Sequence, residues 1–419
     1  LGPPWARKKS GFSTKDRPTR GVKRVLFTKP KKAIGIDIGN HSVKAVQMSR
    51  VGNQLCVDEA AYAVVDRNMY NNDTVGALSS AMRLVLENMN VPAALLVGAL
   101  PGQTVVVRYR QLDDAPPDQL AVIIQREAGQ NIPYDLSEVF LDSTIIDEVQ
   151  EGDKKQLKML MVAAKHEVIT SRIQVAEASE VQFGILSIDS LSLADAADVC
   201  HMLRRDESIA MVNIGYSSTN IHFIKDGVSN FIRDVSWGAR ELTQAIVKDR
   251  RCSPEEADTL LKTAGVREDM APSGEMAPGS PAAGDHASLL DPLDDELGGL
   301  DTPQAAVSLA LTTESRDLTD VLHVALGRMV AEIRRSFDYY EHQLYEQPVT
   351  RLILSGGCAH VPIVGETLME ELDVETVEVA NPLAGTLQMA DEYATGPMRE
   401  RPAQFMVALG LAARGMAEL

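Results

Sequence analysis

The chain has 419 residues, a formal charge of −18 and 45% hydrophobic residues. Its length exceeds one simple core and predicts two or more lobes, and its acidic balance argues against a nucleic-acid binder. It holds no run of roughly 20 apolar residues, so no bilayer-spanning helix is expected, and its four cysteines include no CxxC pair, which excludes the usual zinc spacing and fits reduced thiols.

In chain order, residues 1–32 are basic, with Asp16 as their one acid, and contain several Pro and Gly. They lack the apolar core of a secretory signal. They read as a disordered tail, either solvated or adhering to an anionic membrane surface at about 1 kcal/mol per basic residue. A short apolar strand follows at 33–39, then alternating strands at 42–48 and 54–64, a helix at 73–90 and a buried strand at 93–100. A strand at 104–112, a proline-initiated helix at 116–132, strands at 138–146 and 155–165 and a helix at 166–181 describe a small α+β unit inserted into the first lobe. Residues 184–190 read as a strand returning to the main sheet.

A second lobe opens at 210–224, with a strand at 228–235 and helices at 238–249 and 253–264. The latter starts with Ser253 as N-cap, Pro254 and two acids. Residues 267–304, rich in Pro, Gly, Ala and acid, read as a mobile insertion. Residues 307–344 read as largely helical, and 349–362 as a strand, a glycine turn and a helix start.

Two stretches repeat one pattern: "IGIDIGNHSVKAVQM" at 34–48 and "AMVNIGYSSTNIHFI" at 210–224. In the first, a strand delivers Asp37, and Gly39 is expected to allow a tight turn with positive φ. Backbone N–H groups pointing into such a turn form a nest for phosphate oxygens. Lys44 can reach a β-phosphate as a point charge, and Asp37 can hold Mg²⁺ through water. One such turn also reads as an ordinary hairpin with a glycine bulge; two of them suggest one phosphate-facing hairpin per lobe. A third glycine turn, Ser355-Gly356-Gly357, offers bare backbone to a purine and ribose, although alone it reads as a strand-to-helix turn.

In this order the three turns resemble the phosphate-1, phosphate-2 and adenosine motifs of the actin-like ATPase superfamily, which includes sugar kinases, DnaK-type chaperones, actin and FtsA. The segments "QREAGQNIPYDLSEVFLDSTII", "VSWGARELTQAI" and "EIRRSFDYY" resemble the PilM family of type IV pilus assembly. The resemblance runs from about residue 33 to the C-terminus, with 267–304 unmatched. It implies an α/β, actin-like (ribonuclease H-like) two-lobed fold. Subdomain 1A would comprise 33–101 and 184–205, 1C 102–183, 2A 206–245 and 334–419, and 2B 246–333. An interlobe cleft would take ATP or ADP with Mg²⁺.

The same resemblance implies a cytoplasmic protein at the inner face of the inner membrane, serving a pilus, competence or secretion machine. It would bind the cytoplasmic N-terminus of a PilN-like membrane protein between 1A and 1C, and other pilus-assembly proteins are further candidates. Arg126, Glu127, Ile132, Pro133 and Tyr134 would shape that groove, with core packing the other reading of Ile132 and Tyr134.

By resemblance, Gly39, Asn40, His41, Ser42 and Lys44 would meet the phosphates from one side. Gly215, Tyr216, Ser217 and Ser218 would meet them from the other, near Gly238 and Ala239, where relatives usually read Gly-Gly after an Ile. Gly356, Gly357 and Ala359 would border the adenosine. Arg334 and Arg335 would flank base or ribose, or form a solvated, ion-paired helix face.

Two departures bear on catalysis. Asn213 stands where the superfamily normally has a magnesium-orienting acid, so it would be a weak metal partner. Ser190 stands where many relatives have an acid near the attacking water, and strand alternation would turn its neighbour Asp189 to the other face. No catalytic residue is assigned. The cleft is expected to retain ATP with slow or no hydrolysis, as a clamp on the interlobe angle. A membrane-tethering FtsA-like protein is the alternative. Its expected amphipathic end is poorly matched by "FMVALGLAARGMAEL", with Arg414 as sole cation. A metabolite kinase would need a catalytic acid that is not evident.

Overall fold

The computed structural model describes residues 31–151, 154–262, 317–390 and 392–418. The basic tail through residue 30, the 267–304 insertion and helix positions 307–316 lie outside the described residues.

Strands β1 (Lys32–Ile38), β2 (Ser42–Val51) and β3 (Gln54–Val64) run antiparallel. After α1 (Arg67–Asn72) and α2 (Thr74–Leu86), β4 (Ala94–Leu100) returns parallel to β1. A separate antiparallel sheet of order β5–β7–β6 then forms from β5 (Val105–Asp113), β6 (Val139–Glu151) and β7 (Lys154–Lys165), backed by α3 (Pro117–Asn131). Helix α4 (His166–Ala178) leads to β8 (Ile185–Ile188), parallel to β4. Helix α5 (Asp189–Val199) crosses to the second lobe.

That lobe contains β9 (Ser208–Ile214), β10 (Thr219–Lys225), β11 (Val228–Val235), α6 (Ala239–Arg250), α7 (Pro254–Lys262) and α8 (Leu318–Asp338). Strand β12 (Arg351–Gly356), α9 (Pro362–Glu371) and β13 (Thr376–Val379) complete it. The chain ends with β14 (Gln388–Met389), α10 (Glu392–Glu400) and α11 (Met406–Glu418).

The two large sheets are built alike. One runs β3–β2–β1–β4–β8 and the other β11–β10–β9–β12–β13, each an antiparallel trio continued by two parallel strands. Strand β1 is buried on both faces, which explains its near-continuous apolar run. Ile34, Ile36 and Ile38 pack on Ala77, Leu78, Ala81 and Met82 of α2. Ala33 and the opposite face meet α11.

Helix α11 is mostly apolar because most of it is buried, with Arg414 half-buried and paired to Asp195. It packs on α5, β1, β2 and β4, so the residues weighed as a membrane-binding end are core residues. At Gly410 the backbones of α11 and α5 touch: an added Cβ would strike the carbonyl oxygen of Ser192. Only glycine allows that approach.

Four expectations need correction. The strand read at 184–190 stops at Ile188, and Asp189 and Ser190 form the first turn of α5, so strand alternation does not orient them. Helix α4, placed with the inserted unit, packs on α2 and β4, with Val175 and Ala176 in the first lobe's core. Of the stretch 334–419, placed in the second lobe, β14 pairs with β3, α10 packs on β3 and α11 on β1. The expected boundary at 333/334 falls inside α8, which is continuous from Leu318 to Asp338.

Candidate functional site

The two repeated hairpins face each other across the space between the large sheets. In the first, the Gly39 N–H donates to the Ser42 carbonyl at 3.1 Å; in the second, the Gly215 N–H donates to the Ser218 carbonyl at 2.9 Å. Neither glycine has positive φ, contrary to expectation. Their requirement is room: an added Cβ would lie 3.0 Å from the Ser42 or Ser218 carbonyl oxygen.

The hairpins also touch. Asn40 Nδ2 donates to Ser217 Oγ at 2.7 Å, and Tyr70 OH donates to Asn40 Oδ1 at 3.0 Å. The His41 and Tyr216 rings stack at 5.2 Å, and the Arg67 guanidinium lies over the Tyr216 ring, 3.8 Å from its centroid. Burial, foremost, holds the His41 pKa below its ordinary value, which favours a neutral ring in this stack.

Below the turns the copies differ in charge. On the first sheet Asp37 lies opposite Lys44, and Lys44 Nζ meets Asp37 Oδ2 at 3.0 Å. On the second, Asn213 lies opposite Asn220, and Asn213 Nδ2 donates to Asn220 Oδ1 at 3.0 Å. An ion pair in one copy is an amide pair in the other. Asn220 in turn donates to Asp234.

Between the hairpins lies a cleft of about 380 Å³. Asp37, residues 39–42, Lys44, Asn213, residues 215–218, Ala239, Gly356 and Gly357 all line it. Gly356 has φ +91, and an added Cβ would strike the Ile214 carbonyl, so this turn needs glycine twice over. Gly238 is packed against the Tyr216 carbonyl, and Ala359 is buried; Cys358 and Val361 line the cleft there. Arg334 and Arg335 do not line it: Arg334 binds Glu371 at 3.0 Å and Arg335 binds Glu332 at 2.6 Å, the ion-paired helix face.

Several lining residues carried no motif. Helix α7 begins with a reciprocal cap, Ser253 N–H to Glu256 Oε2 at 2.8 Å and Glu256 N–H to Ser253 Oγ at 3.2 Å. That start turns Asp258, Leu261 and Lys262 toward the cleft. Their helical spacing was visible in the sequence, but not which neighbour their face meets. Arg172 of α4, Asp189 of α5 and Arg401 are the other unanticipated charges.

Asp189, set aside on strand alternation, points into the cleft. Its Oδ1 accepts from the Gly102 N–H at 2.9 Å and the Ser190 N–H at 2.7 Å. Burial, then the nearby Asp234, pushes its pKa up to about 8. The Ser190 side chain is buried outside the cleft lining. Its carbonyl accepts from His222 Nδ1 at 2.9 Å; His222 Nε2 then accepts from Ser229 Oγ at 2.7 Å, and Ser229 accepts from Tyr109 OH at 2.6 Å. Burial pushes the His222 pKa down to about 4, so the ring is neutral and can play both parts.

At the groove positions, Ile132 is 5% exposed in the core of the inserted sheet, which is the core-packing reading of that residue. Arg126 is exposed and pairs with Glu127 at 3.5 Å. Pro133 and Tyr134 are exposed, with Lys165 Nζ 4.6 Å above the Tyr134 ring. Nearby in the fold, Phe140 is 59% exposed and meets His166 edge-on at 4.5 Å.

Doubled sheets of this order, with paired hairpins facing one cleft, define the actin-like ATPase fold. The chain belongs to the family described as type IV pilus assembly protein PilM, which it matches over residues 35–272 and 313–416. Among solved structures it is similar to a PilM–PilN type IV pilus biogenesis complex, with TM-score 0.70 and 19% identity, covering 93% of this chain and 99% of that one. It is also similar to the ethanolamine utilization protein EutJ from Carboxydothermus hydrogenoformans (TM-score 0.46, 14% identity, 92% and 90% covered). A third is MreB5 of Spiroplasma citri bound to ADP (TM-score 0.44, 10% identity, 91% and 95% covered). Among the described residues no helix is long and apolar enough to cross a membrane.

Proposed function

We propose that this chain is a nucleotide-binding adaptor of a type IV pilus, or related secretion or competence, machine. It would act at the cytoplasmic face of the inner membrane and hold the cytoplasmic N-terminus of a PilN-like membrane protein. The observation that carries this reading is the pair of facing hairpins in a member of the PilM family. Backbone N–H groups in both turns would cradle the phosphates of ATP or ADP, while Gly356, Gly357 and α7 would border the nucleoside. In subdomain terms, 1A would take β1–β4, α4, β8 and the returning end of the chain, and 1C would be the three-stranded sheet with α3.

Magnesium would enter hydrated with the nucleotide, near Asp37. Among the described residues no group of three or more His, Cys, Asp or Glu is placed to hold a metal directly, and Asp37 already faces Lys44. That donor set fits outer-shell contact alone. Asn213 brings no charge, and Ser190, at the position of the second expected acid, is buried outside the cleft lining, so neither is a base toward water. Slow or absent hydrolysis follows. The partner peptide would use Arg126, Pro133 and Tyr134, extended by Phe140 and His166 where the inserted sheet joins α4.

The test is capture of a synthetic N-terminal peptide of the partner by the purified chain, with and without ATP, beside an ATPase assay. Peptide capture with turnover near background is the expected result. Brisk magnesium-dependent turnover, or no capture in either condition, would refute the corresponding half of the proposal.

A further inference from the structure

Among the described residues, Arg172 carries a charge with no counter-ion in contact with it. It lies on α4 and lines the cleft, yet its exposure is only 9%. Its guanidinium makes one long hydrogen bond, Nη1 to the Ile38 carbonyl at 3.4 Å, and no ion pair among the described residues. A guanidinium has five N–H donors, and a buried charge is costly unless paired and hydrogen-bonded. Burial acts against its charge, while Asp37 and Asp189 favour it from a distance. Both carboxylates have nearer partners: Asp37 Oδ2 meets Lys44, and Asp189 Oδ1 accepts backbone N–H groups from Gly102 and Ser190.

The anchor point matters. Ile38 immediately precedes Gly39, so Arg172 sits at the base of the first phosphate-facing turn. Lys44 lies in the same cleft, and the opposite turn lacks the acid that would orient a metal. Arg172, with Lys44 held by Asp37 beside the same turn and Lys262 and Arg401 elsewhere in the lining, suits a polyphosphate whose charge is met by protein. The arginine fork matches two phosphate oxygens at once.

We propose that Arg172 binds the terminal phosphate of the cleft's nucleotide, and that Arg172 with Lys44, rather than magnesium, supplies most of the charge that retains it. This deepens the nucleotide-binding reading and rests on it.

The experiment is equilibrium binding of a fluorescent ATP analogue to the full chain, in magnesium and in EDTA. In wild type, removing the metal should weaken binding less than about fivefold. Arg172→Gln should weaken it by at least about tenfold in both buffers, as expected for losing charged hydrogen bonds. Arg172→Lys, with charge but no fork, should fall between. Without nucleotide, Arg172→Gln should melt no lower than wild type, because it removes an unpaired buried charge; a lower melting temperature would mark Arg172 as structural and sink the proposal. Wild-type binding that vanishes in EDTA would also overturn it, while leaving the nucleotide reading intact. Wild-type binding absent in both buffers would overturn the nucleotide reading itself.

Discussion

Asp189 shows how much one carboxyl depends on its surroundings. Its folded pKa, about 8, lies above the ordinary 3.8 because it is buried beside other acids. Between those values the folded chain binds a proton that the unfolded chain does not. Stability therefore falls as pH rises from about 4 to about 8 and levels off above. Asp234 and Asp195, each pushed up to about 6 by burial, act in the same direction. Asp189→Asn keeps an oxygen for the two backbone donors and removes the ionisation. It should gain on the order of 1–3 kcal/mol over wild type at pH 8, with the gap closing toward pH 4. Urea titrations at three pH values would check this, and a constant gap would contradict it. Sequence reading identified Asp37 and the neutral Asn213 because the repeated hairpins could be laid over each other. It missed Asp189 because the strand read as 184–190 ends two residues earlier, at Ile188, and a helix start turns side chains differently from a strand.

Helices show where periodicity stops informing. The helical spacing of α4 was legible; what covers each face of α4 or α11 was not. Helix α4 follows the inserted sheet in the chain but packs on α2, and this places Arg172 in the cleft. Helix α11 was weighed against a membrane surface and instead fills the core beside α5. The Gly410 contact makes a sharp prediction: Gly410→Ala should cost about 2–4 kcal/mol, because backbone cannot yield as a flexible side chain can. Gly327→Ala on α8 is the control. That glycine is exposed with nothing within 4 Å, so alanine should stabilise by about 0.4–1 kcal/mol. Chemical denaturation of both variants tests the contrast, and equal effects would show that α11 and α5 are not in close backbone contact.

At the scale of the molecule, the chain Tyr109–Ser229–His222–Ser190 joins the inserted sheet, the second lobe and the helix that begins at the cleft floor. Tyr109→Phe breaks its outermost bond at a cost near 1 kcal/mol. If the inserted sheet senses the cleft through this chain, the variant should bind the partner peptide with an affinity that ATP no longer changes. Calorimetric titration of the peptide with and without nucleotide measures that difference, and an unchanged nucleotide effect would rule the route out. The doubling was legible in the repeated hairpins, but the parallel strands that extend each trio were not. Nor was the return of the final segment to the first sheet, because β14 is two residues long and its pairing with β3 leaves no pattern in composition.

If the cleft holds the nucleotide proposed above, the unequal hairpins would also set an order of events. A grip with one ionic jaw and one merely polar jaw lets go unevenly. When the lobes part, the polyphosphate should stay with the jaw holding Asp37 and Lys44, and the Asn213–Asn220 jaw should swing free. An open-state crystal with ligand would display it on one side only. Recharging could then proceed by exchange on a resident half-site, with no need for the cleft to be rebuilt around each new ligand.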